Sequence, residues 1–136
     1  MPVNLTELRH FIPARQLAVI RMNANGEEGA HFRAKLSEFS DRVQTMPKVY
    51  QQDGLGDRAI VYLHYFRGGH DWYITERDLT GEQLQAFGLA SLDGHYPELG
   101  YISIAELIGL GVELDLYFEP TPLGEIRAAS RLAACA

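Results

Sequence analysis

The sequence predicts an α+β domain, in which one long amphipathic helix covers a mainly antiparallel sheet of about four to five strands. Two patterns lead to this prediction. The first third carries an apolar stripe with helical spacing. In later segments, apolar and polar residues alternate with a period of two, and glycine-rich turns join these segments. The length of 136 residues and the apolar fraction of 46% suffice for one domain with its own core.

This single domain divides into an N-terminal segment (1–25), a helix (26–47), an α+β core (48–126) and a tail that frays (127–136). The run Asn4-Leu5-Thr6-Glu7 resembles a capping box, which predicts a short helix that ends before Pro13. The apolar run 16–22 fits either a strand or a linking segment, because its periodicity does not separate the two.

A long helix is predicted over residues 27–45. Apolar side chains recur there at spacings of four, three, four and three, which places them in one stripe: Phe32, Leu36, Phe39, Val43 and Met46. Glu27 and Glu28 lie at the positive end of the helix dipole, and Pro47 follows the last turn. We expect the stripe to pack against the sheet, because the chain offers no other apolar surface of comparable size.

Residues 59–66 and 71–78 predict the strands of a hairpin whose turn contains Gly68-Gly69, since glycine accepts the positive φ of such turns. This register places Tyr65 opposite Trp72. Side chains then alternate between two faces. The predicted core face holds Ala59, Val61, Leu63, Tyr65, Trp72, Ile74 and Glu76, with Val61 opposite Glu76. The other face holds Ile60, Tyr62, His64, Phe66, Tyr73, Thr75 and Arg77.

Two further strands are predicted at 85–92 and 112–118. Between them, a capping box that begins at Ser103 opens a short helix. Thr121 and Pro122 are predicted as the N-cap and the first turn of a last, alanine-rich helix.

Charge is unevenly distributed along the chain. Residues 1–48 carry seven Lys and Arg against five acids, which gives +2, and residues 49–136 carry five against thirteen, which gives −8. From 71 to 119, ten acids face one base, which gives −9. Such a segment repels a phosphate backbone and attracts basic protein surfaces, so general nucleic-acid binding is disfavoured. Solubility alone is the other interpretation of this charge.

The sequence carries no motif for a specific chemistry. The five histidines are scattered, with neither H-E-x-x-H nor a cysteine pair, so no metal is predicted. Neither a complete phosphate-binding loop nor G-x-S-x-G is present, so no cofactor and no hydrolase nucleophile are predicted. Cys135 cannot form an internal disulfide and no apolar run is long enough for a membrane span, so a cytoplasmic location is expected.

Two groups of side chains are candidates for chemistry or ligand binding. Glu76, which lies on the predicted core face, and His64 are the candidate acid and base. Partial burial shifts the pKa of such groups, and enzymes use groups with shifted pKa values for proton transfer. The structural alternative for Glu76 is a contact with solvent or a backbone donor. Tyr62, Tyr73 and Arg77 share the other face with His64 and are placed to stack a ring or a partner side chain. A helix over this face would make it a second core instead.

Five acidic residues are the candidates for partner binding: Asp78, Glu98, Glu113, Asp115 and Glu119. Glu113 and Asp115 alternate with apolar residues in 112–118, so both are expected to point outward. Reversal of both charges is therefore expected to weaken binding and to leave the fold intact.

Six segments, in this order and spacing, carry a family resemblance: Asp53-Gly54-Leu55-Gly56-Asp57, Trp72-Tyr73-Ile74-Thr75-Glu76, Phe87-Gly88-Leu89, Glu98-Leu99-Gly100-Tyr101-Ile102-Ser103, Glu106-Leu107 and Asp115-Leu116-Tyr117-Phe118-Glu119-Pro120-Thr121. From Gln52 to Ile126 the chain resembles a small, uncharacterised family of unknown function that bacterial plasmids, integrative elements and phages carry. The resemblance implies residence on a mobile element, often near antirestriction and conjugation genes, and implies no reaction and no catalytic residues. The hairpin departs from members with a longer, proline-containing turn before the tryptophan.

Three functions are compatible with these patterns. The leading hypothesis is a non-enzymatic, acidic protein-binding module of a mobile element, in its specific form an inhibitor that occupies the basic nucleic-acid-binding surface of a host defence nuclease complex of the CRISPR or restriction type. The alternative is a small enzyme or ligand-binding domain with a pocket around Glu76, His64, Tyr73 and Arg77. Direct nucleic-acid binding through the first third is weakest, since its net charge of +2 is small. A structure in which the acidic side chains line one concavity would favour the enzyme hypothesis, whereas acidic side chains dispersed over the surface would favour the binding hypothesis.

Overall fold

The computed structural model describes residues 2–93 and 95–135, with side chains up to residue 130, and it confirms the α+β class. The elements, apart from a 3₁₀ turn at Gly56–Arg58, are α1 (Leu5–Leu8), α2 (Ala14–Ala24), α3 (Gly29–Thr45), β1 (Ile60–Val61), β2 (Leu63–Arg67), β3 (His70–Glu76), β4 (Ala86–Ser91), β5 (Glu98–Ile102), α4 (Ile104–Leu107), β6 (Glu113–Leu114), β7 (Thr121–Pro122) and α5 (Leu123–Cys135). None of the helices in this part of the chain combines the length and the apolar character that a membrane span needs.

The N-terminal segment packs on the rest of the domain. α1 begins as predicted, because the Asn4 Oδ1 accepts the Glu7 N–H at 3.0 Å. The Asn4 N–H in turn donates to the Ser40 Oγ of α3 at 2.8 Å. Leu8 is fully buried and belongs to the main core. Residues 1–25 are therefore part of the folded domain through α1 and α2.

The prediction of a strand or linker at 16–22 is wrong, because this segment lies in α2. Pro13 precedes the first turn of α2, a position where its fixed φ suits a helix start. Leu17, Ile20 and Ala24 recur with helical spacing and are buried. Contacts with the other helices, which a short apolar run does not reveal, settle its conformation.

α3 confirms the predicted long helix and begins two residues later than expected. Leu36, Phe39 and Val43 are buried in one core with side chains of the sheet, as predicted. Phe32, at the start of the stripe, is half-buried at the edge of this core. The three N-terminal helices thus cover one face of the sheet, which we call the main face.

The main sheet has five strands in the order β5-β4-β3-β2-β6, and all neighbours are antiparallel. The hairpin of β2 and β3 has the predicted register, with Leu63 opposite Ile74 and Tyr65 opposite Trp72. Gly68 takes the positive φ of the turn, 57°, which glycine adopts without steric cost. Trp72 is half-buried against the main core.

The predicted strand 59–66 breaks at Tyr62, and the break moves its first residues to the other side of the sheet. Val61 pairs with β7 instead of facing Glu76, and Tyr62 packs against the main core. A second, smaller core forms from three buried side chains: Val61, Leu89 and Leu123. The predicted single core face is therefore wrong for Val61, because the chain leaves the main sheet at this point.

β4 confirms the predicted strand at 85–92, and α4 confirms the helix behind Ser103, whose Oγ accepts the Glu106 N–H at 3.1 Å. The predicted strand 112–118 pairs only at Glu113–Leu114. It ends there because Asp115 opens a turn, in which its Oδ1 accepts a backbone N–H two residues later at 3.0 Å.

Thr121 and Pro122 form β7, opposite β1, and are not the start of the last helix as predicted. α5 begins at Leu123 and continues through Cys135, so a helix occupies most of the predicted tail. Of the predicted tail, residue 136 and the side chains of residues 131–135 lie outside the part of the chain that the structure describes.

Candidate functional site

The two faces of the five-stranded sheet are covered to different extents. The main face lies under α1, α2 and α3 in one continuous apolar core. On the opposite, second face, Leu123 of α5 packs on Leu89 of β4. Leu99 of β5 lies opposite Leu89 and is 44% exposed. The cover over the second face therefore ends between β4 and β5.

The second face carries a group that we call the His64 cluster: His64, Asp71, Tyr73, Asp115 and Phe118. The His64 Nε2 lies 2.7 Å from the Asp71 Oδ1, and its Nδ1 lies 3.2 Å from the Asp115 Oδ2. The Tyr73 ring stacks on the imidazole with centroids 4.6 Å apart, and the Phe118 ring lies at 5.7 Å. Both ring nitrogens and one ring face of His64 thus have protein partners.

The geometry of the His64 cluster indicates a structural clasp. Its two carboxylates lie at opposite edges of the imidazole, so they do not converge on one position. Within the described residues, no three His, Cys, Asp or Glu side chains are arranged to hold a metal ion. Burial raises the pKa of Tyr73, and the charges of Asp71 and Asp115 raise it further, so the phenol stays neutral. The cluster ties β2 and β3 to the turn after β6.

Glu76 is 3% exposed and binds the backbone of a neighbouring loop. Its Oε1 accepts the Gln52 N–H at 2.9 Å. The Gln52 carboxamide binds both the N–H and the C=O of Ile60, at 2.7 and 2.9 Å. These bonds fix the loop that carries Tyr50, whose φ of 79° is rare for a bulky residue. The structure thus gives Glu76 a backbone donor, the alternative that the sequence left open.

The residues predicted for one stacking face or pocket have different surroundings. Within this group, His64 and Tyr73 stack on each other. Tyr62 packs against the main core, because the strand breaks there. The Arg77 guanidinium donates to two carbonyls at the C-terminal end of α3, at 3.0 and 3.2 Å. It therefore stabilises the end of that helix.

The five acids predicted for partner binding also differ in their surroundings. Glu98, Glu113 and Glu119 are exposed. Asp115 belongs to the His64 cluster, and Asp78 is bound within its own loop. Glu113 and Asp115 therefore differ: Glu113 is exposed, whereas Asp115 is partly buried and its carboxylate lies against His64.

Asp78 organises the loop before β4. Its Oδ2 accepts the N–H groups of Leu84 and Gln85 at 3.0 and 3.1 Å, and the Thr80 hydroxyl at 3.1 Å. Burial alone would raise the pKa of Asp78, but these hydrogen bonds outweigh it and lower the pKa below the usual value. The carboxylate is thus already occupied by its own loop.

The edge of the sheet at β6 is closed by a side chain. The Gln16 Nε2 donates to the Leu114 C=O at 2.7 Å, and the Leu114 N–H donates to the Gln16 Oε1 at 2.9 Å. A carboxamide has the same donor and acceptor as a peptide group, so Gln16 takes the place of a further strand residue. This edge is also only two residues long.

The opposite edge, at β5, is open. β5 spans five residues, and its backbone pairs with β4 on one side. Among the described residues, no backbone or side-chain group bonds to its other side. That side therefore presents unpaired N–H and C=O groups to solvent.

Three exposed apolar side chains and one acid at this edge form what we call the β5 surface: Tyr50, Glu98, Leu99 and Tyr101. The hydroxyls of Tyr50 and Tyr101 lie 2.8 Å apart, and the Tyr101 ring meets Phe87 edge-on with centroids 5.8 Å apart. The hydrogen bond to Tyr50 raises the pKa of Tyr101, so its hydroxyl stays neutral. These contacts bring the Tyr50 ring of a neighbouring loop and the Tyr101 ring of β5 together at the uncovered edge.

Sequence reasoning missed β5 and, with it, this surface. Pro97 and Gly100 weaken the strand pattern, which hides the alternation of Leu99 and Tyr101 with their neighbours. That alternation was the one local sign of the strand.

Comparison with known protein families places the chain in one family, whose function is unknown. The family described as "Protein of unknown function (DUF2958)" matches residues 30–133. No curated protein and no solved structure shows a significant match. The matched residues begin in α3 and include the whole five-stranded sheet. Because the match covers more than half of the chain, the chain belongs to the DUF2958 family.

Proposed function

We propose that this protein is a non-enzymatic protein-binding module that recognises a basic surface of its partner. The observation that carries the proposal is the composition of residues 78–126, which include nine acids and no Lys or Arg. Glu98, Glu113 and Glu119 are exposed within this stretch. Among the described side chains, none of these three carboxylates forms an ion pair, so they keep a negative potential that attracts basic partners and speeds their association.

The positions of the acids also favour binding over catalysis. Glu98 and Glu113 lie on the two opposite edges of the sheet, four strand spacings apart. With about 4.8 Å per spacing, this is about 19 Å, too far for both carboxylates to act on one reacting bond. Glu76, the candidate acid, is buried and binds a backbone N–H. The carboxylates are therefore dispersed, which is the arrangement expected for a binding surface.

The specific form of the proposal places this protein in the cytoplasm as an accessory of a mobile element. There it inhibits a host defence nuclease complex, of the CRISPR or restriction type, by occupying its basic nucleic-acid-binding surface. A groove that binds phosphates through Lys and Arg has the charge that residues 78–126 complement. The family resemblance in the sequence supports the mobile-element setting.

Affinity capture from a host extract with intact defence systems tests this function. We expect a captured partner with a basic surface, whose association slows as salt rises. Glu98→Gln with Glu113→Gln should weaken capture several-fold, and Glu27→Gln with Glu28→Gln, a matched pair of exposed acids outside the acidic segment, should not. A partner held equally by both variants and indifferent to salt would contradict the proposal.

A further inference from the structure

β5 offers a free row of backbone donors and acceptors over a whole strand. An exposed edge of this kind is a template for another strand, and folded proteins usually block it with a charge, a bulge or a cover. In this protein the backbone of the β6 edge is bonded to Gln16, whereas β5 carries one charge, Glu98, and no described group bonds to its outer backbone atoms. An extended segment is therefore the ligand shape that fits β5.

Side chains on the two sides of β5 supply contacts for alternate residues of such a segment. Leu99 and Tyr101 lie on the second face, 44% and 56% exposed. Gly100 lies on the other side, where an added Cβ would meet no atom within 4 Å. A strand beside β5 would thus find apolar and aromatic contacts on one face and, on the other, open space at Gly100 next to the carboxylate of Glu98.

Tyr50 adds a fixed ring to the same surface. It is 57% exposed, has an unfavourable positive φ, and its hydroxyl is bonded to that of Tyr101. Buried bonds from Gln52 and Glu76 hold the loop in place despite that conformation. Tyrosines held in this way contribute strongly to interfaces, because little side-chain entropy is lost on binding.

Charge selects the occupant of this edge. Glu98 is part of the strand, and the negative charges of Asp53 and Glu76 act on Tyr101 beside it. A second copy of the chain would bring the same net charge of −6, which opposes its approach. A segment rich in Lys and Arg is attracted by the same charges.

We infer that β5 is a docking strand for an extended, basic segment of a partner protein, which adds to the sheet as a sixth strand beside Tyr50, Leu99 and Tyr101. This inference rests on the proposed function and names the surface and the form of the partner's segment. Backbone hydrogen bonds of the added strand supply affinity, and its alternate side chains supply specificity.

The test is selection of a displayed library of random decapeptides on the full chain, followed by synthesis of the enriched peptides. We expect enriched peptides in which Lys or Arg alternates with apolar residues. N-methylation of alternate backbone nitrogens should weaken them at least tenfold, because it removes strand pairing. Tyr101→Ala should weaken peptide binding at least fivefold. The control is Tyr117→Ala, which removes a tyrosine that lies outside β5 and is 73% exposed, and it should leave peptide binding unchanged.

Three outcomes would overturn the inference: no peptide is enriched, N-methylation and Tyr101→Ala leave affinity unchanged, or sedimentation shows a dimer of the chain that Tyr101→Ala dissociates. If basic peptides bind with salt dependence but ignore N-methylation and Tyr101→Ala, the inference fails and the proposed function stands. If capture of the natural partner is indifferent to Glu98→Gln with Glu113→Gln and to salt, the proposed function itself fails.

Discussion

The two edges of the five-stranded sheet meet solvent in different ways. At β6 the edge is two residues long, and the carboxamide of Gln16 binds both the N–H and the C=O of Leu114. At β5 the edge is five residues long, and no described group binds its outer backbone atoms. β6 carries a buried leucine, whereas β5 exposes Leu99 and Tyr101.

This difference shows where the fold is closed and where it is left available. Edge protection is a general need, because unpaired strands promote unwanted association. A short edge that a side chain closes and a longer edge that stays free are what our inference of a docking strand at β5 requires. On that inference, Glu98 favours a partner segment of opposite charge.

The largest expected effect comes from matched leucine substitutions at the two edges. Leu114 is 1% exposed and lies in the main core, so Leu114→Ala should lower the free energy of unfolding by about 2–5 kcal/mol. Leu99→Ala should cost less than about 1 kcal/mol, because its side chain already meets solvent. Denaturant titration measures both values. Equal losses would show that β5 is covered in solution.

A second pair tests whether the His64 cluster anchors the chain after β6. Asp115→Ala removes a partner of His64 and of a backbone N–H, so it should cost about 1.5–3 kcal/mol. Glu113→Ala, at an exposed neighbouring position, should stay within about 0.5 kcal/mol. Thermal or chemical unfolding separates these results. If the two variants are equally stable, the cluster does not act as a clasp.

Opening the β6 edge should have a smaller effect. Gln16→Ala leaves the Leu114 N–H and C=O without their partner, which should cost about 1–2 kcal/mol. The control is Gln85→Ala, which removes an exposed carboxamide and should be neutral within about 0.5 kcal/mol. Unfolding experiments on both variants measure this cost. Equal free energies of unfolding would mean that water replaces the Gln16 hydrogen bonds without loss of stability.

The smallest expected effect concerns the backbone of Tyr50. Glycine accepts a positive φ more easily than alanine does, so Tyr50→Gly should be more stable than Tyr50→Ala by about 1 kcal/mol. Both variants lose the ring and should lose partner binding equally. A more stable alanine variant would show that the loop adopts another conformation in solution.

Local patterns predicted much of the fold correctly. The hairpin register, the long helix and the capping at Asn4 and Ser103 depend on residues that are close in sequence. The errors occurred where distant contacts decide. α2 is a helix because it packs on other helices, and the strand at Tyr62 breaks because β1 pairs with a segment about sixty residues later.

The candidate site was less predictable for the same reason. Gln16 and Leu114 are 98 residues apart in sequence, and no local pattern links them. Asp115 looked free because its partner, His64, lies on another strand. The uneven charge, in contrast, is a property of composition and could be seen at once.

Amide hydrogen exchange, measured with and without a selected basic peptide, tests the difference between the edges most directly. In the free protein, we expect the Leu114 N–H to exchange slowly, because Gln16 holds it, and the outward N–H groups of Glu98–Ile102 to exchange fast. The peptide should slow exchange in Glu98–Ile102 and leave Leu114 unchanged. Peptide-induced protection at Glu113–Leu114, or no protection in β5 while the peptide is bound, would contradict the assignment of β5 as the docking edge.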